Sequence, residues 1–79
     1  LGPAVEHARK ALELDPKFIK ANLRLGDALL FQGNPVAARR AYASVAASAD
    51  PAEHHEGAMR SARSYLFEAV GAPPTRLFQ

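Results

Sequence analysis

Residues Asp15–Pro35, DPKFIKANLRLGDALLFQGNP, decide the fold of this chain. They open with an Asp-Pro pair, in which the aspartate is suited to cap a helix and the proline to occupy its first turn. They close near Gly33, a residue that favours the left-handed conformation found just beyond a helix end. The apolar residues between these signals are too dense for a helix with a single buried stripe. The stretch therefore predicts one helix, from Pro16 to about Phe31 or Gln32, that packs on at least two sides.

The same start signal recurs further along the chain, as Asn34-Pro35 and as Asp50-Pro51. Together with Gly2-Pro3, these signals predict four helices joined by short turns. Short connections make consecutive helices antiparallel neighbours. The other three helices are expected over residues 3–14, 35–48 and 51–70, with a tail over 71–79. No stretch alternates polar and apolar residues, so we predict an all-α fold class of antiparallel helix-turn-helix units without a sheet.

Composition excludes several classes of function. The sequence contains no cysteine, so the chain has no disulfide and no thiolate to act as nucleophile or metal ligand. Its apolar runs are only a few residues long, far short of the roughly 20 residues that cross a bilayer, so no membrane partner is expected. The net charge is +2, with acidic and basic residues interleaved along the helices. This mixed surface argues against a nucleic-acid partner, which would favour a basic stripe.

His54 and His55, flanked by Glu53 and Glu56, form the one cluster of metal-ligating residue types in the sequence. Adjacent residues on a helix point about 100° apart, so the two histidines do not readily face one ion. The pair of histidines four residues apart that is typical of zinc proteases is absent. The serines lie in no Gly-x-Ser-x-Gly motif, and no glycine-rich phosphate loop is present. We therefore expect no enzymatic activity, no cofactor and no metal site in this chain.

A shift of 34 residues superimposes similar residues of the two halves of the chain, which indicates an internal repeat. The aligned pairs are Ala4 with Ala38, Ala8 with Tyr42, Ala11 with Val45, Leu25 with Met59, Ala28 with Ala62 and Phe31 with Tyr65. These pairs agree in chemical class more than in identity. The Asp-Pro pairs at residues 15–16 and 50–51 depart from the period by one residue.

The repeat resembles the tetratricopeptide repeat. The Trp-x2-Leu-Gly-x2-Tyr segment of that family corresponds to residues 22–29, and its Ala-x3-Phe segment corresponds to residues 38–42. The Ala-Leu-Glu-Leu-Asp-Pro ending, which is frequent in the family, occupies residues 11–16. The departures are Asn22 in place of the large aromatic residue, Ala8 in place of a large residue, and Arg60 where glycine or alanine is expected.

This resemblance implies a fragment of an α-solenoid. Residues 3–14 would form the second helix of a preceding repeat, residues 17–50 a full repeat, and residues 51–70 a capping helix. Gly26 would keep the two helices of the full repeat close together. A capping helix needs a polar outer face, which would be supplied by Glu56, Arg60, Arg63 and Glu68. The chain is thus expected to be the C-terminal fragment of a longer protein.

The resemblance also implies a concave binding face lined by the first helix of each repeat. On the central helix, the residues expected to bind a peptide on that face are Lys20, Leu23, Arg24, Asp27 and Phe31. Lys20 and Arg24 are four residues apart and so stand together on the helix. The site is therefore predicted to take an acidic or mixed-charge peptide, with Leu23 and Phe31 as apolar anchors. A carboxylate clamp, as in chaperone-binding members of the family, is not expected, because Asp27 stands where that clamp would need a neutral group.

Two functions remain open at the level of the sequence. The first is a protein-interaction module, or scaffold, that binds a peptide or partner protein on the concave face. The alternative is a structural segment that caps a longer solenoid or associates with itself. In that case Lys20 and Arg24 are ordinary surface charges. Self-association would then use the apolar face of the first helix, formed by Ala4, Val5, Ala8 and Leu12.

Overall fold

A computed structural model describes residues 2–71 of the chain, which form four helices. They are α1 (Gly2–Leu14), α2 (Ile19–Phe31), α3 (Pro35–Ala46) and α4 (Pro51–Val70). No strand occurs among these residues, and the predicted all-α fold class is confirmed. The predicted tail, apart from Gly71, lies outside the described residues.

The helices form a stack in which each helix packs on the next one along the chain. α2 packs on α1 and α3, and α3 packs on α2 and α4, whereas α2 and α4 touch only lightly. The core consists of the buried residues Ala8, Leu25, Leu29, Leu30, Ala38, Ala41, Tyr42 and Phe67. Most of these residues belong to α2 and α3, the two helices in the middle of the stack. The dense apolar content of α2 therefore reflects packing on two sides, as the sequence predicted.

Gly26 of α2 lies directly against the ring of Tyr42 of α3. A methyl group at Gly26 would overlap the ring atoms Cε1, Cδ1 and Cζ, so the two helices approach this closely only with glycine. Tyr42 is fully buried, as are its helix neighbours Ala38 and Val45. A minimal residue on one helix thus makes room for a large residue on the other, which gives the dense packing of a protein core.

Asparagine and aspartate side chains begin α3 and α4, as the sequence predicted. The side chain of Asn34 accepts a hydrogen bond of 3.2 Å from the backbone N–H of Ala37. The side chain of Asp50 accepts one of 3.4 Å from the backbone N–H of Ala52. In both helices a proline follows the cap, where the N–H that proline lacks would have had no partner within the helix.

Glycine ends α2 at the predicted place. Gly33 adopts a left-handed φ of 84°, which suits a residue without a side chain. Its N–H donates to the carbonyl of Leu30, and the N–H of Asn34 donates to the carbonyl of Leu29. This pair of bonds is a Schellman motif, and it satisfies carbonyls that the end of a helix otherwise leaves open.

The start of α2 differs from the prediction, because the helix begins at Ile19 and not at Pro16. The carboxylate of Asp15 accepts a hydrogen bond of 3.1 Å from the backbone N–H of Lys17 and so closes a turn of its own. The carbonyl of Asp15 also accepts a bond from the N–H of Phe18. The cap predicted at Asp15 is therefore wrong: its side chain completes the turn that precedes α2.

Asn22 holds this turn against α2. The residue is buried, and its side-chain amide donates to the carbonyls of Pro16 at 3.2 Å and of Phe18 at 3.4 Å. A buried amide without partners would be costly, so these bonds allow it to occupy the position. The departure at this position from the aromatic residue of the family motif thus has a structural role, which is to fasten the turn between α1 and α2.

α4 turns its arginines toward the protein and its large apolar residues toward solvent. The exposed large apolar residues of α4 are Met59, Tyr65, Leu66 and Val70. Arg60 and Arg63 instead bind Asp27 of α2, and Glu56 binds Arg60. Glu68 forms an ion pair of 2.8 Å with Arg39 of α3. The polar outer face predicted for α4 is therefore wrong, because carboxylate and guanidinium partners on α2 and α3 draw these charges inward.

Small residues form the face with which α4 packs on α3. A Cβ atom at Gly57 would fall on the backbone of Ala46, so glycine permits a close approach of the two helices. Ser64 is fully buried. Its Oγ donates a bond of 2.6 Å to the carbonyl of Ser61 and accepts one of 3.2 Å from Arg39. Side-chain size and hydrogen bonding, more than hydropathy, thus determine which face of α4 packs on α3.

Candidate functional site

An open groove of about 650 Å³ runs between α1 and α2. Its lining includes five alanines, which are Ala4, Ala8, Ala11, Ala21 and Ala28. Because alanine side chains are small, the space between the two helices remains unfilled. Phe18 and Phe31, at the two ends of α2, add aromatic surface to the same lining. We call this feature the α1–α2 groove.

Basic side chains accompany the apolar lining. Lys20 and Arg24 of α2 and His7 of α1 all line the groove. Lys20 and Arg24 are exposed and lie one helical turn apart. Within residues 2–71, neither of them forms an ion pair. Their charges are therefore available to a ligand in the groove.

Asp27 is the point at which the groove meets α3 and α4. Its Oδ1 accepts hydrogen bonds of 2.5 Å from the Tyr42 hydroxyl and of 3.3 Å from Arg63. Its Oδ2 accepts a bond of 2.8 Å from Arg60, which also binds Glu56 at 3.1 Å. The two arginines and the two carboxylates balance one another. The net positive charge of the groove therefore comes from Lys20 and Arg24.

The Tyr42 hydroxyl fixes the Asp27 carboxylate from inside the protein. Burial raises the pKa of Tyr42 above its ordinary value, and the hydrogen bond to Asp27 raises it further. Tyr42 consequently stays protonated and donates to Asp27 at neutral pH. The bonds from Tyr42, Arg60 and Arg63 engage both carboxylate oxygens of Asp27, so this residue contributes little free negative charge to the groove.

The five residues predicted for the concave face occupy two environments. Lys20, Arg24, Asp27 and Phe31 all line the α1–α2 groove. Leu23 is half-buried and packs against the core. The structure therefore brings four of the five residues to one surface. A role for any of them in binding a peptide stays a prediction.

The sequence reasoning missed what α1 and α4 contribute to this surface. For α1, the 34-residue alignment contained one signal. It pairs Ala4 and Ala8 of α1 with Ala38 and Tyr42 of α3, and both of these α3 residues are buried. That match marks the corresponding side of α1 as a surface for helix packing. The pairing of Arg60 with Asp27 had no local signal, because the two residues are 33 positions apart.

The chemistry that the groove offers is binding by charge and apolar contact. Over the described range 2–71, no group of three or more acidic, histidine or cysteine side chains is placed to hold a metal ion. His54, from the histidine pair noted in the sequence, has its Nδ1 2.5 Å from the carbonyl of Ala46. None of the described helices combines the length and apolarity needed to cross a membrane.

The sequence model of one family, described as tetratricopeptide repeat, matches residues 3–62 of the chain. The matched range runs from the first turn of α1 into α4 and includes both helices that line the groove. Comparisons with curated proteins and with solved structures gave no match.

Proposed function

Because this chain belongs to the tetratricopeptide repeat family, we propose that it binds an acidic segment of a partner protein in the α1–α2 groove. Tetratricopeptide repeats generally mediate protein–protein interactions, and the family is typically non-catalytic. The proposal adds to this general role a surface, a charge preference and a set of residues. The proposal includes no catalytic activity.

The observation that carries the proposal is the unmatched positive charge of the groove. Asp27, the carboxylate in its lining, is bound by Arg60 and Arg63, whereas Lys20 and Arg24 have no acidic partner within residues 2–71. A carboxylate-bearing segment would meet both free cations at once. A basic segment would meet like charge, which disfavours it.

Apolar contact would supply the second part of the binding energy. Phe18 and Phe31 are each a little under half exposed, and alanines line the groove between them. Leucine- or phenylalanine-sized side chains of a partner would fill this space and bury the two rings. Because α1 and α2 form the groove before any partner binds, most of the conformational entropy lost on binding would come from ordering the partner segment.

Isothermal titration calorimetry tests this function. The probe is an acidic, leucine-containing peptide, compared with a peptide in which every acidic residue is replaced by lysine. The double variant Lys20→Glu/Arg24→Glu should weaken binding of the acidic peptide by about tenfold or more, because two attractive charges become repulsive. Binding to the unmodified protein should also weaken as salt is added, since the contacts are exposed.

The matched control is Arg9→Glu/Arg40→Glu. It changes the net charge equally, but both residues are exposed and lie outside the groove lining. Affinity in the control should stay within about twofold of the unmodified protein, if long-range effects are screened. Equal loss in both double variants would reduce the preference to net charge and overturn the assignment to the groove. Equal affinity for acidic and basic peptides would overturn the acidic preference.

A further inference from the structure

From Met59 onward the solvent-facing side of α4 is mostly apolar, and Glu68 is the one exposed charged residue there. This side presents a stripe of six residues at helical spacing, Met59, Ala62, Tyr65, Leu66, Ala69 and Val70, which we call the α4 stripe. Its four large residues are 52–60% exposed. A surface helix normally shows polar residues on this side, and an apolar patch of several hundred Å² marks an interaction site.

The α4 stripe repeats the face by which α2 packs on α3. Each of the two helices buries a pair of small residues with the same spacing, Ala21 and Ala28 on α2 and Gly57 and Ser64 on α4. With these pairs superimposed, which takes a shift of 36 residues where the sequence alignment used 34, Ala62, Tyr65 and Leu66 fall on the positions of three α2 residues. Those residues are Gly26, Leu29 and Leu30, all buried in the core region around α3. The stripe is therefore a surface of the kind that receives α3.

The α1 side of the groove repeats the complementary face, by which α3 packs on α2. The 34-residue shift places groove-lining residues of α1 on four buried residues of α3. The pairs are Ala4 with Ala38, His7 with Ala41, Ala8 with Tyr42 and Ala11 with Val45. Among these α1 residues Ala4 and His7 are exposed and only Ala8 is buried, whereas all four α3 residues are buried.

We infer that the α4 stripe of one copy of this chain docks into the α1–α2 groove of a second copy, head to tail. The contact would reproduce between copies the packing that α2 and α3 show within one copy. It shares the groove with the proposed function, but it is argued from helix packing and does not rest on that function.

Inside the chain, glycine at position 26 faces the large ring of Tyr42. At the equivalent place between copies, Ala62 of the α4 stripe would face Ala8 of α1. The larger stripe residues Tyr65 and Leu66 would then occupy the open volume of the groove beside this contact. The stripe has no charged group that docking would leave buried and unpaired.

A head-to-tail contact between two different surfaces builds an open chain, or a ring where the rotation between copies closes. Each added copy leaves one stripe and one groove free, so assemblies should grow with concentration and should not stop at a dimer. Contact of one α4 stripe with another would instead be self-complementary and would stop at two copies. An acidic partner in the groove would compete with assembly.

Analytical ultracentrifugation of the 79-residue chain tests this inference. The unmodified protein should sediment with a mass that rises past the dimer as concentration increases. Leu66→Glu should block the stripe, and Ala4→Glu/His7→Glu should block the groove, so that each variant alone is monomeric. The α1 substitutions lie near the helix N-terminus, where acidic residues favour the helix. Circular dichroism checks that each variant remains folded.

Mixing the two variants gives the decisive result. Each retains the surface that the other lacks, so a one-to-one mixture should form a dimer of twice the monomer mass and nothing larger. Ala43→Glu, at an exposed position on α3 away from both surfaces, should assemble like the unmodified protein. A dimer that Leu66→Glu abolishes and Ala4→Glu/His7→Glu preserves would overturn the inference in favour of stripe-to-stripe pairing.

A strict monomer at high concentration would overturn docking of a second copy altogether, and it is the result expected if residues 72–79 cover the stripe. Binding of the acidic peptide separates this failure from that of the proposed function. Leu66→Glu leaves the groove lining unchanged and should still bind the peptide. A monomeric protein that binds the peptide refutes only self-docking. An assembling protein that ignores the peptide refutes only the proposed function.

Discussion

Arg60 of α4 donates a hydrogen bond of 2.8 Å to Asp27 of α2 and thereby ties the fourth helix to the edge of the candidate groove. The ion pair is only partly exposed, and Arg63 and Tyr42 bind the same carboxylate. Asp27 therefore has two effects on the molecule. It orients α4 so that Arg60 and Arg63 point inward. Those two arginines neutralise its negative charge, so the groove keeps a net positive charge.

Asp27→Ala should destabilise the protein by about 1–3 kcal/mol, because it removes the acceptor that Arg60, Arg63 and the buried Tyr42 hydroxyl share. Urea denaturation measures the loss. Glu68→Ala is the matched control, since the Glu68 carboxylate is more exposed than that of Asp27, and its removal should cost less than about 1 kcal/mol. Equal losses in the two variants would contradict a central role for Asp27 in fixing α4.

Gly26→Ala should destabilise the protein by about 1–3 kcal/mol, since a methyl group at this position overlaps the buried ring of Tyr42. Helix propensity alone predicts the opposite, a gain of about 0.5–1 kcal/mol when alanine replaces glycine inside a helix. Thermal or urea unfolding thus distinguishes the two by sign. A stabilised variant would show that α2 and α3 do not approach closely at this seam.

Alkaline pH should unfold the protein through Tyr42. Its pKa is raised in the folded state by burial and by Asp27, so the folded protein holds the proton more tightly than the unfolded chain. The contribution of this group to stability is complete below about pH 10, the ordinary tyrosine pKa, and falls as pH rises above that value. Urea denaturation between pH 8 and 11 measures this slope.

Tyr42→Phe is the control for the alkaline effect, because it keeps the ring against Gly26 and removes the group that titrates. It should be less stable at pH 8 and should lose less stability than the unmodified protein as pH rises above 10. An unchanged alkaline slope in this variant would assign the effect to groups other than Tyr42.

Local signals made the helix count and most helix ends predictable. Asn34, Asp50 and Gly33 act within a few residues of themselves, and each caps a helix end as expected. The start of α2 was mispredicted by the same kind of local rule, because the Asp15 carboxylate had two backbone targets and bonded within its own turn. Sequence pattern alone does not rank two such local bonds.

The faces of α4 were not predictable from hydropathy. Met59, Tyr65 and Leu66 have the helical spacing that is typical of a packed apolar face, yet they are exposed. The packed face is chosen instead by Gly57, which alone allows contact with the backbone of Ala46. The ion pairs of Arg60 and Arg63 with Asp27, which is distant in sequence, also determine which face of α4 is packed. Both causes depend on the tertiary arrangement.

The candidate groove was predictable in part. Lys20 and Arg24 were found from their spacing on one helix, and they do share a surface with Asp27 and Phe31. The opposite wall comes from α1, and the sequence had no local feature that joins it to α2 across the groove. The neutralisation of Asp27 depends on α4, so the net charge of the site also required the packed structure.

The most direct test of the central claim, that the α1–α2 groove binds an acidic segment, is an NMR titration of the labelled chain with the acidic peptide. The Leu66→Glu variant is suited to it, because it should not self-assemble. The account predicts saturable shifts of the backbone amides around Lys20, Arg24 and Phe31, together with those of Ala8 and Ala11 across the groove. Saturable shifts confined to α4 or to the outer side of α3, or no shifts at all, would contradict the claim.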